Sequence, residues 1–482
     1  WSSDVCSSDL NTVFVEHSPV AHLFSFNPLM RGYGNRKYTY FYREFSTDLP
    51  KIQDIDSLIA ASNELLKFNG PNLAKDTDIF IKTCEVTRYL LSQEEDKSKV
   101  FFYFKNFIFP AMPLIEENSI AIDKAFEILL FFPTEDRFSL YGELYNILAK
   151  NNPLIKIAYS KAEKSTKDVL KRLSKENVRP MMRRLAKICF SNPLPCLLTI
   201  LQQIESYDNL NTLVVETARY FNAYGWDNLT AAILIRLASS RSSTYNGMSE
   251  RQWVQSLASF IGKICQRYPH AIDIKTILAF ILKSFYSGDT IGLLVLKEMF
   301  ISMGGIQHIT NLTINQIDMI NCGSSLQKIV YNTIDDLRFE RRATGKYLIK
   351  CMNEIDAVNE LLVLLCRISN DVTFTGNESY LKVLVSKSDD VNAVIRLFVT
   401  LINLYDEDLN LMPIQQLSDL GVPWSWAYEV WRFRGKTEKD NLSLESTSSI
   451  FDNFWKLSLH DINYTNELYD NETIKLESNI KS

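Results

Sequence analysis

Apolar residues recur at three- and four-residue steps along most of this chain, the period that gives a helix one buried stripe. Residues 54–68 place Ile55, Leu58, Ile59, Leu65 and Leu66 on one such stripe, and Asn69-Gly70-Pro71 stops it. A second helix is predicted over 76–92, with acidic residues in the first turn, where the helix dipole favours them. Val100 to Pro110 reads as a buried aromatic-rich helix. Ser119 to Phe132 is predicted to end at Pro133, and Thr134 to cap a helix running towards Lys150.

Pro193 stands where a first helical residue belongs, after Ser191-Asn192. The helix it opens carries Leu197, Leu198, Ile200, Leu201 and Ile204. Ser249 and Gln252 have the spacing of a capping box. The helix predicted after them puts Trp253, Leu257, Phe260, Ile261, Ile264 and Tyr268 on one face, before Pro269. Residues 273–287 and 289–303 form two more helices, parted by Gly288 and closed by Gly304-Gly305. From 324 to 406 the pattern continues with shorter helices and more charge, and amphipathicity resumes over 450–459.

Strand signals are nearly absent. Asn246-Gly247 is a hairpin dipeptide, but helical patterns flank it, so a loop is expected there. Helix pairs recur about every 35–45 residues without a repeated consensus, the spacing of irregular HEAT-like arrays. The fold class predicted is all-α, an elongated α-solenoid of irregular helix pairs. Composition agrees: 16 Gly and 14 Pro in 482 residues are about 3% each, below the usual roughly 7% and 5% that hairpins and turns consume. Along the chain, 11–159 reads as an N-terminal helical region, 341–434 as further solenoid helices with an aromatic cap, 435–447 as a polar linker and 448–482 as the start of the next helical region. Residues 1–10, WSSDVCSSDL, are expected to be a non-native leader joined to an internal start point.

Net charge is −5, so bulk charge does not make the chain a polyanion binder. Eight scattered cysteines without a Cys-x-x-Cys pair fit reduced core thiols better than a disulfide framework. No run approaches the roughly 18 apolar residues of a membrane span, and no membrane contact is expected. Gly435-Lys436-Thr437 lacks the earlier Gly of a phosphate loop, because position 430 is Val. Gly32-x-Gly34 lacks the third Gly of a dinucleotide loop. The five histidines show no i, i+4 metal pair, and Cys189 and Cys196, separated by Pro193 and Pro195, read as core packing. The chain is expected to be non-enzymatic, with no catalytic residue, metal, cofactor or small-molecule ligand.

One local feature departs from the overall charge. Residues 161–187 hold ten basic residues (Lys161, Lys164, Lys167, Lys171, Arg172, Lys175, Arg179, Arg183, Arg184, Lys187) against Glu163, Asp168 and Glu176. Lys164, Lys167, Lys171 and Lys175 step by three or four and are predicted to line one helix face. A solvated basic face, an acidic protein partner and a nucleic-acid backbone all fit such a run. The absence of interleaved aromatics weighs against a base-stacking platform. The candidate partner-contact residues are Lys164, Lys167, Lys171, Arg172, Lys175, Arg179, Arg183 and Arg184. A dense aromatic cluster, Trp424, Trp426, Tyr428 and Trp431, reads as an end cap on the last solenoid helix or as a partner groove.

Several phrases carry a family resemblance. Glu176-Asn-Val-x-Pro180 leads to Leu185-Ala-Lys187 and Ser191-Asn-Pro193; Tyr207-Asp-Asn-Leu210 is followed by Val214-Val-Glu216. Trp253-Val-Gln-Ser-Leu-Ala-Ser-Phe260 leads to Arg267-Tyr-Pro269, and Leu293-Leu-Val-Leu-Lys-Glu298 to Met303-Gly-Gly-Ile306. Trp431-Arg432 and Phe454-Trp-Lys-Leu-Ser-Leu-His-Asp461 follow. In this order the chain resembles the family of the second, largest subunit of the THO complex. An altered stretch around Ser239–Tyr245, and Phe433 in place of the family's Pro, resemble a yeast-type member, here an internal piece.

The resemblance implies a nuclear scaffold that couples transcription elongation to mRNA processing and export. It implies a segment at 160–340 similar to the middle domain of translation initiation factor 4G. The implied partners are the other THO subunits and a DEAD-box RNA helicase, with mRNA or the nascent transcript contacted mainly indirectly. The alternative is another α-solenoid adaptor, such as a nuclear transport receptor or a coat subunit.

Overall fold

The computed structural model describes residues 54–93, 97–116, 118–173, 176–207, 210–239, 244–245, 249–250, 252–306, 313, 315, 339–375, 381–405, 409–431 and 473–479. The expected leader at 1–10, linker at 435–447 and amphipathic stretch at 450–459 lie outside the described residues. The fold is all-α, with one minor addition. Thr244–Tyr245 (β1) pairs antiparallel with Ser249–Glu250 (β2), Thr244 opposite Glu250 and Tyr245 opposite Ser249. The hairpin signal at Asn246-Gly247 is thus answered by its flanks, although that dipeptide itself lies outside the described residues. The capping box expected at Ser249 gives way to the same pairing: the next helix begins at Gln252, and Ser249 belongs to the ladder.

Helical contacts divide the chain into two compact units. The first comprises 1–203 and 213–238, the second 204–212 and 239–482. In the first, α1 (Ile55–Asn69) opens with a capping box: Asp54 Oδ1 accepts from Ser57 N at 2.8 Å and Ser57 Oγ accepts from Asp54 N at 3.2 Å. Gly70, at φ 51°, ends it. Asp76 caps α2 (Thr77–Ser92).

Between Val100 and Pro110 the expected single helix is three pieces. α3 (Lys97–Tyr103) passes into a π turn at Phe104–Ile108 and a 3₁₀ turn at Phe109–Leu114. Pro110 and Pro113 have no N–H to continue an α ladder. The burial expected there holds for Tyr103, Phe104, Ile108 and Phe109, whereas Phe102 is 64% exposed.

α4 (Ser119–Leu129) and α5 (Thr134–Glu143) follow. Pro133, not Thr134, occupies the cap of α5; Thr134 is its first residue. Beyond them come α6 (Pro153–Arg172), α7 (Val178–Cys189), α8 (Pro193–Ser206), α9 (Asn211–Thr217) and α10 (Ala223–Leu237). The polar tie of this unit joins α5 to α10. Arg137 Nε and Nη2 donate to the two carboxylate oxygens of Asp227 at 3.0 Å each, and Tyr141 Oη donates to Asp227 at 2.6 Å. Arg137 Nη1 also reaches the Phe132 carbonyl at 2.9 Å. Burial, then the Asp227 charge, pushes the Tyr141 hydroxyl well above its usual range.

The second unit contains α11 (Gln252–Arg267), α12 (Ile274–Tyr286), α13 (Ile291–Gly304), α14 (Phe339–Glu354), α15 (Ala357–Asn370), α16 (Leu381–Leu404), α17 (Ile414–Asp419) and α18 (Trp424–Trp431). Its centre is α13. Ile291, Val295, Leu296, Met299, Phe300 and Met303 are all buried, because the helix is apolar around most of its circumference. α13 packs against α11, α14 and α16. Phe300 stacks on Phe398 of α16 at 5.4 Å between ring centroids, and Thr344 Oγ1 of α14 donates to the Met303 carbonyl at 2.8 Å. The shorter helices expected towards residue 406 are not what forms: α16 runs 24 residues, the longest described helix.

One acidic side chain of α13 sits in this packing. Burial raises the Glu298 carboxyl above its ordinary value, against the opposing pull of Lys297 and Lys263. A raised carboxyl pKa in the folded state means the fold prefers the protonated acid. The penalty is absent below the ordinary value of 4.5, and it grows as pH rises through the window up to the folded value. Glu298→Gln is therefore expected to raise the urea midpoint at pH 7 and to leave it unchanged near pH 4. A lower midpoint at pH 7 would contradict this.

Six cysteines, at positions 84, 189, 196, 265, 351 and 366, are buried and unbridged. Burial pushes the Cys366 thiol up to about 12. Among the described residues, no helix is long and apolar enough to cross a membrane, and no group of three or more His, Cys, Asp or Glu could hold a metal ion.

Candidate functional site: a basic face on two packed helices

The basic face is built by two adjacent helices whose apolar stripes point inward. α6 starts at Asn152, whose Oδ1 accepts from Leu154 N at 3.0 Å and Ile155 N at 3.4 Å, with Pro153 in the first turn. Its buried residues are Ile155, Tyr159, Ala162, Thr166, Val169 and Leu170. That stripe leaves Lys164, Lys167 and Lys171 exposed, together with Arg172 in the last turn. α7 buries Met182, Leu185 and Cys189 and so turns Arg179, Arg183, Arg184 and Lys187 to solvent. The two helices pack on each other.

The first of the two helices stops at the corner between them. Leu173 takes an extended conformation, so α6 ends at Arg172. Lys175, the last step of the predicted Lys164–Lys167–Lys171–Lys175 face, lies outside the described residues. Asn177 Nδ2 donates to the Arg172 carbonyl at 2.7 Å, satisfying one terminal acceptor of α6. Asn177 makes no side-chain cap on α7. Pro180 sits in the first turn of α7, where its missing N–H removes no helical bond.

Lys161 is paired with Glu116 at 2.7 Å. Lys164, Lys167, Lys171, Arg172, Arg179, Arg183 and Arg184 form no ion pair with a described residue. Their charge is available to a partner. Two apolar side chains missed by charge counting share α6 with them: Ile157 is 64% exposed and Leu154 38% exposed. The signal was present in the sequence. Ile155 and Ile157 cannot both lie on one helical stripe, and Ile155 is the one aligned with Tyr159 and Ala162.

The aromatic cluster is divided. In α18, Ala427 and Val430 are buried, Trp424 and Trp426 are half-buried, and the side chains of Tyr428 and Trp431 lie outside the described residues. α18 packs on α17 and α16.

Comparison with known proteins bears directly on what this face belongs to. Residues 3–183 match the family described as THO complex subunit 2 N-terminus, and residues 185–258 the family described as transcription- and export-related complex subunit. The chain is 29% identical over 471 residues to THO complex subunit 2 of Saccharomyces cerevisiae, an alignment covering 90% of this chain and 29% of that protein. The chain belongs to the THO complex subunit 2 family. Against the human protein of the same name it is 29% identical over 338 residues, covering 67% of this chain and 21% of the relative. Against that of Arabidopsis thaliana it is 27% identical over 371 residues, covering 70% and 20%. The chain thus spans less than a third of the length of these relatives. The descriptions are of a complex subunit, and none is of a catalytic family. The basic face straddles the junction between the two family matches.

Proposed function

We propose that the chain is part of a non-enzymatic scaffold of the THO complex, acting in the nucleus to couple transcription elongation to mRNA processing and export. In this reading the helical units hold other THO subunits, and the α6–α7 face docks a DEAD-box RNA helicase, with RNA contacted mainly indirectly. The observation that carries the reading is the unpaired cationic surface on a helix that also exposes Ile157 and Leu154. Charge steers and orients a protein partner, and exposed apolar side chains give it area to bury. A phosphodiester backbone would use the cations but leave the apolar pair uncovered. The names of the relatives support membership of the complex.

The test is charge reversal at Lys171, Arg172, Arg183 and Arg184 to Glu in the full-length protein. Affinity purification is expected to recover the other THO subunits normally and the ATPase at about a tenth of its wild-type level or less, the loss expected when several rim charges are inverted. The wild-type interaction is expected to weaken as salt is raised, because these groups are solvent-exposed. Unchanged ATPase recovery by the variant would remove this face from the docking site.

A further inference from the structure

α15 forms one wall of a groove of about 760 Å³ in the second unit, and residues 410–413 with α17 form the other. Asn359 fixes the second wall with both side-chain atoms: Nδ2 donates to the Asn410 carbonyl at 2.9 Å, and Oδ1 accepts from Met412 N at 2.9 Å. Val363, Leu364 and Leu411 give the groove an apolar lining. Met412, Leu420 and Tyr286 also line it and are 37%, 53% and 62% exposed.

Two carboxylates line the groove at the start of α15. Glu360 accepts from Tyr286 Oη at 2.7 Å. Asp356, one turn earlier, occupies the cap position, yet its side chain makes no capping bond to the helix and no ion pair with a described residue. It is also the only non-glycine among the described residues with positive φ, at 52°. The one cation lining the groove, Arg367, lies further along α15 and faces Asp371 at 3.8 Å.

The geometry points to a docking groove for a short peptide segment of a partner protein, one that carries a Lys or Arg for Asp356 and Glu360 and an apolar side chain for the Val363–Leu364–Leu411 lining. Charge complementarity selects a basic occupant, because the unpaired charge at this end is negative. The exposure of Tyr286 and Leu420 selects a peptide over a small molecule, since small-molecule sites enclose most of the ligand surface. The inference concerns a different surface from the basic face and holds whichever partner that face receives.

The experiment is selection of a phage-displayed random dodecapeptide library on the full chain, followed by binding of the enriched peptides to variants. Asp356→Gly is the key variant. It removes the carboxylate while supplying the residue best suited to a left-handed backbone, so the thermal midpoint should hold or rise. Leu420→Asp, on an exposed rim position, is the second variant. The expected result is a consensus containing a basic and an apolar residue, with binding weakened about tenfold or more by each variant, as for loss of a charge-assisted contact or a buried anchor. Three results would each overturn the proposal: no enrichment, a consensus without a basic residue, or peptides indifferent to Asp356→Gly. Self-association of the chain abolished by Leu420→Asp would assign the groove to a second copy and overturn it equally.

Discussion

Gly262→Leu is expected to prevent the second unit from folding, and Gly262→Ala to destabilise it by about 1–2 kcal/mol, the scale of overpacking in a closed core. A Cβ built on Gly262 would stand 2.8 Å from the Glu298 carbonyl oxygen, 3.0 Å from its carbon and 3.0 Å from Ser302 Oγ. Two of those three atoms are helix backbone, which cannot rotate away as a side chain can. Relief would require α11 and α13 to separate, and α13 also packs on α14 and α16.

Alanine gains about 1 kcal/mol over glycine in helix propensity, which offsets part of the clash and leaves the smaller net loss. Gly142 is the control. It lies within α5, and a Cβ added there would meet nothing within 4 Å, so Gly142→Ala should stabilise by roughly 0.5–1 kcal/mol. Urea unfolding of the two alanine variants should therefore move in opposite directions. A Gly262→Ala midpoint at or above wild type would show that the two helices are not locked at this approach.

The same region shows which parts of the fold were legible. The helix over 289–303 was legible from its apolar period, whereas its burial on most sides, at the centre of the unit, came from the structure. The stop at Gly304-Gly305 was legible too, since Gly305 takes the left-handed conformation at φ 73°. That Gly262 must be glycine was not legible, because its reason lies in Glu298, on a different helix. Ser249 shows a different kind of failure. Two local rules competed for it, a capping box with Gln252 and a ladder pair across Asn246-Gly247, and the ladder formed.

The basic face was readable residue by residue but not as a surface. Charge steps of three and four predicted one continuous face through Lys175. The chain instead turns at Leu173, and the cations are shared between α6 and α7. Pro180, which favours a first turn, was the sequence signal for a new helix there. The α15 groove could not be read at all. Asn359 and Asn410 are 51 positions apart, and nothing local to either residue announces the other.

Asp227→Ala is expected to destabilise the first unit by about 3–5 kcal/mol, the range for removing one partner of a buried ion pair. The Arg137 and Asp227 side chains are only 12% and 10% exposed, so water cannot replace what the carboxylate supplies. Three donors converge on it, two from the Arg137 guanidinium and one from Tyr141 Oη, and the bidentate geometry is the strongest form of this contact. Tyr141→Phe removes a single bond and should lose about 0.5–1.5 kcal/mol. Asp227→Asn keeps an acceptor for Tyr141 but not the charge opposite Arg137, and should fall between the two.

The double variant Arg137→Met with Asp227→Leu separates charge burial from packing. If the loss in Asp227→Ala comes from stranding a buried cation, the double variant should be more stable than the single one. These differences can be followed in urea by tryptophan fluorescence, since Trp226 adjoins Asp227 in α10. The first and second units should be fitted as separate transitions. A loss below about 1 kcal/mol for Asp227→Ala would place the pair with solvent-screened surface contacts. The α5–α10 tie would then be a consequence of the apolar packing around Tyr141 and Tyr224, whose rings meet edge to face at 5.8 Å, rather than one of its causes.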